Sequence, residues 1–596
     1  MATREKLASI RRLMQREGLT AYLVPSTDPH QSEYVPACWQ RRAYLSGFTG
    51  SAGDVLVLMN SAGLWTDGRY FLQAEKQLQG TGITLFKMGE SGIPTLDQFL
   101  AQSLKKGQKL GVDPRVISLS VADALKKAVE SNGGKLALLP DNLVDEIWPY
   151  RPDLPRGRIR VLPDRFSGEA TASKLKRVRE EMRKRSADAH VLTALDAVAW
   201  TFNVRGSDVD YNPVVVGYGL ITPRTAHLFL SPEKVPPEAK KKLGPFVQTL
   251  PYAEIEIALR QLARAKARVW VDGITANRWV VDRLRGATLI TDRSPVAYMK
   301  ARKNPTEIRG MKKAHVRDGV AMVRFLYWLA ENVPSGSVTE LSAETILENF
   351  RRQGEKFVGP SFRTISAYGE HGAIIHYEAD QESNVPLHHW GIYLIDSGGQ
   401  YLDGTTDITR TILLGGAPTR EQTEQFTRVL QGHIRLAEAR FPSGVRGLRL
   451  DTLARAPLWE GGLDYNHGTG HGVGAFLSVH EGPMSVGPRC TGAPMEEGQI
   501  LSNEPGYYKE GDYGIRIENT ILAVRDKELS KGDKTWLRFE TISFCPIERR
   551  LIDRRLLSER EKAWLNSYHA RVERTLSPYL DSHERSWLHR ACKKVS

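Results

Sequence analysis

The sequence predicts a mixed α/β chain, α/β in its first two domains and α+β in its last. Three observations carry this. Residues 1–150 alternate short apolar strands with helices, and the next segment repeats features of the first. At "KNPTEIRGMKKAHVRDG" the pattern changes: a long helix begins, strands dominate from about 360 to 545, and a helical tail closes the chain. The length of 596 residues suits three or four domains of about 150 residues each.

Taken in order, Leu7, Ile10 and Met14 in "REKLASIRRLMQREG" fall at helical spacing and lead into the strand-like "LTAYLVP". "GDVLVLMNSAGLWTDGRYFLQAEKQL" reads as strand, turn, strand and helix. The prolines of "WPYRPDLPRGRIRVLPDR" mark a linker. Beyond it, "WTFNVRGSDVD" echoes "YLSGFTGSAG", each with an aromatic opening, a Gly-Ser and then an apolar run, "PVVVGYGLI" or "DVLVLM". "VWVDGITANRWV" likewise resembles "LWTDGRYFL", so a duplication is expected. In the third part, Asn304 suits a helix N-cap, Pro305 its first position and Glu307 a capping box. "SERE" from Ser558 caps a tail helix with Trp564, Tyr568 and Val572 on one face. The expected domains are 1–155, 156–303 and 304–596, the last with a helical extension over about 546–596.

Composition excludes several classes. No apolar run approaches the ~18 residues of a membrane span. Cys38, Cys490, Cys545 and Cys592 are scattered without C-x-x-C spacing and read as free thiols of a reducing compartment. The N-terminal arginines invite a transit-peptide reading, but Glu5 and Glu17 oppose it, which leaves the cytosol. The net charge of +14 is dispersed, and its densest runs carry no interleaved aromatics. A solvated basic surface is expected, with no nucleic-acid partner and no membrane.

One stretch needs explaining. In "DYNHGTGHGVG", His467 and His471 stand four apart, with His480 in "SVHEGP" beyond. A zinc-protease helix fits poorly, because each interior Gly costs roughly 1 kcal/mol against Ala, and no Glu follows the first His. A phosphate loop lacks its Lys-Ser or Lys-Thr. The choice between a site and a glycine turn rests on ligands elsewhere. "GIYLIDSGGQYLDGTTDITRTILL" reads as two strands that would bring Asp396 and Asp407 together if paired antiparallel. Pro505 biases Glu504 to an extended backbone. "YGIRIENTILAV" reads as one strand with Ile515, Ile517 and Ile521 on one face and Arg516 and Glu518 on the other. A Glu in an apolar strand is costly unless paired or metal-bound. Asp396, Asp407, Glu504, Glu518 and His471 together suit two divalent cations, and hard oxygen ligands with one imidazole favour Mn²⁺.

At these residues the chain resembles the proline-specific aminopeptidases of the pita-bread metallopeptidase superfamily: two aspartates eleven apart (396 and 407), the His of "GTGHG", the Glu of "NEPGYY" and the Glu of "IRIEN". "HQSEYVPACWQRRAYLSGFTGSAG" and "ALDAVAWTFNVRGSDVDYNPV" resemble the first two domains of its long, three-domain members, and "CPIERRLID" and "WLNSYH" their C-terminal extension. The resemblance implies two creatinase-type N-terminal α/β domains and a pita-bread catalytic domain. It implies that Asp396 chelates one metal, His471 and Glu504 bind the other, and Asp407 and Glu518 bridge the two. Mn²⁺ is the expected metal, with Zn²⁺ or Co²⁺ as alternatives. A bridging hydroxide would attack the carbonyl before proline, with Glu504 as proton carrier. His480 would stabilise the oxyanion, while His376 and His467 line the substrate. Arg516 is expected to hold Asp407 or Glu518, and the glycines to let backbone approach the metals. The implied substrates are peptides with proline in position 2, cleaved by a homodimer formed through the C-terminal domain. A prolidase limited to dipeptides, or a non-catalytic pita-bread protein binding peptide or RNA, are the competing readings.

Overall fold

The first helix, Thr3–Arg16, buries Leu7, Ile10 and Met14, the positions whose spacing predicts it. It covers one face of a six-stranded sheet in the computed structural model, which describes residues 1–488 and 492–596. Cys490 lies outside the described residues; Cys38, Cys545 and Cys592 are buried free thiols. The chain divides into two units, Met1–Pro163 with Glu169–Val296, and Asp164–Gly168 with Ala297–Ser596.

The first unit holds two six-stranded sheets. Across the first, the strands run Thr84–Lys87, Ala62–Thr66, Asp54–Leu58, Ala21–Val24, Lys109–Val112 and Lys135–Leu138. Strand Ala21–Val24 is buried on both faces: Tyr22 and Val24 pack with the first helix, Ala21 and Leu23 with Leu100 and Leu125. The second sheet runs Gln248–Leu250, Ala226–Phe229, Tyr218–Ile221, Ala189–Leu192, Arg268–Val271 and Thr288–Thr291. Its order and its pattern of parallel and antiparallel neighbours repeat the first sheet's.

This topology corrects one pairing expected from sequence. "VWVDGITANRWV" holds the place of "LGVDPRVISLSV", not of "LWTDGRYFL", because Arg268–Val271 and Lys109–Val112 both lie parallel to the first strand of their sheet. Local resemblance around a shared Asp-Gly misled; strand order decides. The true counterparts also touch. Ser118 and Asn277 cap equivalent helices and form a bridge to one another. Around them, Leu119 N–H donates to Ala276 O and Arg278 N–H to Ile117 O, at 2.9 and 2.8 Å.

In the second unit, helix Pro305–Asn332 starts as its sequence dictates. Asn304 Oδ1 accepts from Thr306 and Glu307 N–H, and Glu307 accepts from Asn304 N–H. Two antiparallel sheets matter for the site. One runs Ile365–Tyr368, Gly391–Ser397, Ile408–Gly415. The other runs Arg440–Pro442, Trp536–Thr541, Asn519–Arg525, Ile500–Asn503, Gly470–Gly472, Glu481–Val486. A two-stranded ribbon, Gly506–Lys509 with Tyr513–Arg516, joins neither ladder but meets the first sheet through Thr411, whose hydroxyl bonds Arg516 N–H and O. The region from 360 to 545 is less uniformly β than its sequence predicts, because helices Arg420–Ala437 and Gly447–Trp459 lie within it. The first of these has a Thr419–Gln422 capping box and buries Phe426, Val429, Leu430 and Ile434 at helical spacing. "YGIRIENTILAV" is two strands, Tyr513–Arg516 and Asn519–Arg525, broken at Ile517–Glu518. Helix Glu559–Leu576 begins at the Ser558–Glu561 box, buries Tyr568 and Val572, and stacks Trp564 on Tyr568.

Candidate metal centre

Strand register brings the two aspartates together. Asp396 pairs with Thr409, so Asp396 and Asp407 reach the same end of Gly391–Ser397 and Ile408–Gly415. His471 is the middle residue of Gly470–Gly472, which pairs with strands on both sides. Glu504 follows Ile500–Asn503, its N–H donating to Thr469 O at 2.8 Å. Glu518 sits in the strand break, its N–H donating to Thr409 O at 3.2 Å. Candidate ligand atoms of Asp407, His471 and Glu518 lie within 4.8 Å of one another. His471 Nε2 is 3.4 Å from Asp407 Oδ2 and 3.3 Å from Glu504 Oε1.

The glycines serve this convergence, but by a different route from approach to a metal. A Cβ on Gly470 would collide with the Ser502 carbonyl, and one on Gly472 with the Glu481 carbonyl. They let neighbouring strands pack backbone to backbone around His471.

Protonation within the cluster reports burial first and crowded negative charge second. Burial pushes the Asp396 carboxyl up to about 6, with Arg516 opposing and the Asp407 charge reinforcing. Burial, then the charges of Asp407 and Glu504, raise Glu518 well above the carboxylate range. Burial alone would depress the His471 imidazole; the Asp407 hydrogen bond and the Glu504 and Asp407 charges outweigh it and carry it up to about 9. Three buried carboxylates, Asp396, Asp407 and Glu518, beside the half-buried Glu504 call for compensating positive charge. Two further observations fit a metal. Asp396 Oδ1 is buried with no hydrogen-bond partner among the described residues. His471 Nδ1 lies 2.9 Å from Gly472 O; with its proton donated there, the Nε2 lone pair faces the carboxylates.

Arg516 does not hold Asp407 or Glu518 as expected. Its Nη2 donates to Asp396 Oδ2 at 2.7 Å, its Nη1 to Tyr508 Oη at 2.7 Å and its Nε to Thr409 Oγ1 at 3.2 Å. The break at Ile517 separates Arg516 from Glu518 and places it on the ribbon. Thr409 closes the link by donating to Glu518 Oε2 at 2.7 Å. Tyr508, Thr409 and Ser502, whose hydroxyl donates to Glu504 Oε1 at 2.9 Å, are site residues that sequence reasoning missed. Tyr508 accepts from Arg516, so its own proton goes to His467 Nε2, 2.8 Å away, and His467 Nδ1–H donates to Gly468 O at 2.7 Å. His480 lies edge-on to His471, ring centres 4.4 Å apart. His376 is half-buried, just after the turn Gly369–Ala373.

A carboxylate–imidazole cluster on antiparallel strands, with an orphaned carboxylate oxygen, is a donor set suited to the divalent cations of a metal-dependent hydrolase. Family models agree with that class. Residues 309–525 match metallopeptidase family M24, residues 535–595 the C-terminal region of that peptidase, and residues 6–140 and 150–307 creatinase/prolidase N-terminal domains. A probable Xaa-Pro aminopeptidase P of Laccaria bicolor is 44% identical, covering 100% of this chain and 94% of its own. One from Aspergillus fumigatus is 42% identical, covering 100% and 93%. The X-prolyl aminopeptidase of Caenorhabditis elegans, described as a cytosolic enzyme with a di-nuclear active site, superposes with a TM-score of 0.97 at 38% identity over 100% of both chains. The chain belongs to metallopeptidase family M24, within its Xaa-Pro aminopeptidase group.

Proposed function

We propose that the chain hydrolyses the first peptide bond of peptides with proline in position 2, at a dinuclear site held by Asp396, Asp407, His471, Glu504 and Glu518. The observation that carries the reading is the clustered donor set itself, with Asp396 Oδ1 unpartnered among the described residues and the Asp396 and Glu518 carboxyls resisting ionisation. Full-length similarity to Xaa-Pro aminopeptidases supports the substrate. A prolidase reading has less support: the Xaa-Pro dipeptidase of Bacillus anthracis shares the fold over only 63% of this chain, at 24% identity.

Divalent cations held here would polarise the scissile carbonyl and supply a water nucleophile near neutral pH. The chain's residues do the rest. Glu504, oriented by the Ser502 hydroxyl, carries the proton from the attacking water to the prolyl nitrogen. His480 donates to the developing oxyanion. Arg516 fixes the Asp396 carboxylate through Oδ2 and leaves Oδ1 for a cation. His467, held by Tyr508, and His376 line the substrate. Xaa-Pro is a tertiary amide without N–H, so recognition rests on an apolar slot for the ring and on the free amino terminus.

Oxygen-rich donors with one imidazole favour Mn²⁺ over Zn²⁺ or Co²⁺. A cytosolic location, a homodimer formed through residues 304–596, and domains at 1–155, 156–303 and 304–596 belong to the same reading. The matching topology of the two N-terminal sheets supports the duplication. Among the described residues, no helix is long and apolar enough to cross a membrane.

The decisive experiment counts metal and turnover together. The wild type should bind two Mn²⁺ and release only the first residue of Arg-Pro-Pro peptides. Asp407→Asn and Glu518→Gln should each lose a cation and at least about 10³-fold in kcat. Full activity after exhaustive chelation, or in either variant, would sink the dinuclear reading; preference for dipeptides would hand the substrate to prolidase.

A further inference from the structure

Behind the candidate metal centre lies a buried polar network that the mechanism above does not use. Its centre is Arg410, 1% exposed, in strand Ile408–Gly415. Its Nε donates to Pro546 O at 3.0 Å. Nη1 donates to Thr409 O at 2.8 Å and to Glu518 O at 2.6 Å. Nη2 reaches Asn519 Oδ1 and Cys545 O at 2.8 Å each, and Tyr568 Oη at 3.0 Å. None of these partners is a carboxylate. A buried guanidinium compensated only by neutral oxygens is costly and needs every donor engaged. Here all five N–H groups have acceptors, and Nη2 shares its two N–H groups among three oxygens.

The network sets orientation in sequence. Arg410 carries only donors, so the Asn519 amide beside it turns Oδ1 toward it and Nδ2 the other way. Nδ2 then donates to His433 Nε2, 3.0 Å away. With Nε2 accepting, the His433 proton resides on Nδ1 and is donated to Asn503 O at 3.1 Å. Asn503 Nδ2 returns a bond to His433 O at 2.9 Å. Asn503 and Asn519 are opposite residues of paired strands, and they immediately flank Glu504 and Glu518. Two of the four candidate carboxylate ligands are thus tied at the backbone to one helix residue, His433, and one arginine. The far end is Tyr568 of helix Glu559–Leu576, in the C-terminal extension. Its hydroxyl accepts from Arg410 and donates to Cys545 O at 3.0 Å.

We propose that Tyr568, Arg410 and His433 are positioning residues for Glu504 and Glu518, so that the C-terminal extension sets the site's affinity for its cations. The inference rests on the dinuclear reading above. It gives the extension a role in catalysis although it supplies no ligand: Tyr568 fixes Arg410, Arg410 fixes Glu518 O and the Asn519 amide, and the amide fixes the His433 tautomer that clamps Asn503. Outer partners of metal ligands commonly change affinity about 10–100-fold when removed.

Tyr568→Phe keeps the ring stacked on Trp564 and deletes only the hydroxyl. Calorimetric titration of the metal-free chain with Mn²⁺ should show at least about tenfold weaker binding of one cation, with the melting temperature of the metal-free protein little changed. A second pair of variants guards against a folding defect. His433→Gln can still accept from Asn519 and donate to Asn503 and should retain much of the affinity; His433→Leu should lose it. Wild-type Mn²⁺ affinity in Tyr568→Phe, or equal affinity in the two His433 variants, would overturn the inference while leaving the dinuclear reading intact. A wild-type chain that takes up no Mn²⁺ would overturn both.

Discussion

His480 faces His471 edge-on at 4.4 Å, nine residues further along the chain, and carries the oxyanion role in the proposed mechanism. Replacing it by alanine should lower kcat by about 10²-fold, the usual loss for one oxyanion donor, while two Mn²⁺ remain bound. If His480→Ala instead loses a cation at unchanged kcat per loaded site, His480 is a metal ligand and its assignment fails. At this scale the sequence was most legible where chemistry restricts residue type. Carboxylates in apolar strands, and a histidine among glycines, stand out because burying them unpaired is expensive. Arg516 shows the limit. Its type and its strand were readable, but its partner Asp396 was not, since 120 residues separate them and a two-residue strand break turned its side chain from Glu518. Tyr508, Thr409 and Ser502 carried no signal, because hydroxyl residues in strands are ordinary until their partners are known.

Between elements, the tightest constraint at the site is the approach of strand Tyr513–Arg516 to the turn Gly369–Ala373. A Cβ on Gly514 would collide with the Gly372 carbonyl, and a Cβ on Gly372 would stand 2.9 Å from Gly514 N. Neither glycine has room to yield, since both contacts are with backbone. Gly514→Ala should destabilise by about 2–3 kcal/mol, the upper range for overpacking. A lower denaturant midpoint at unchanged m-value would show it. Because Arg516 lies two residues on, cation affinity should fall as well; stability within 0.5 kcal/mol of wild type, on the order of a neutral surface change, would mean the turn moves freely. Elements with strong local signals were readable beforehand: the Asn304 and Ser558 caps and the first helix each combine a side-chain cap or a regular apolar face. Helix Arg420–Ala437 had such signals too, a Thr419 capping box and a regular apolar stripe, yet lay hidden in a region read as strand. The mistaken partner for "VWVDGITANRWV" has another cause. Strand order is a long-range property, and a four-residue likeness carries none of it.

At the scale of the whole molecule, all five candidate ligands and the network behind them belong to the unit containing Ala297–Ser596, while the unit built on the two matching six-stranded sheets supplies none. This partition predicts how the molecule melts. A cation bound only by the folded site stabilises its own unit by mass action, about 2.7 kcal/mol at a hundredfold excess over Kd. Without cations, burial and then the neighbouring carboxylate charges disfavour ionisation of Asp396 and Glu518, whose pKa values are raised. Calorimetric scans with Mn²⁺ and with excess chelator should therefore differ in one transition and agree in another. The cation-sensitive transition should also move in Asp407→Asn, and the insensitive one should not. A single transition that shifts as a whole would mean the two units unfold cooperatively, and the prediction drawn from the partition would fail. Two transitions that both ignore Mn²⁺ would place the metal outside the folded site altogether, which the unpartnered Oδ1 of Asp396 argues against.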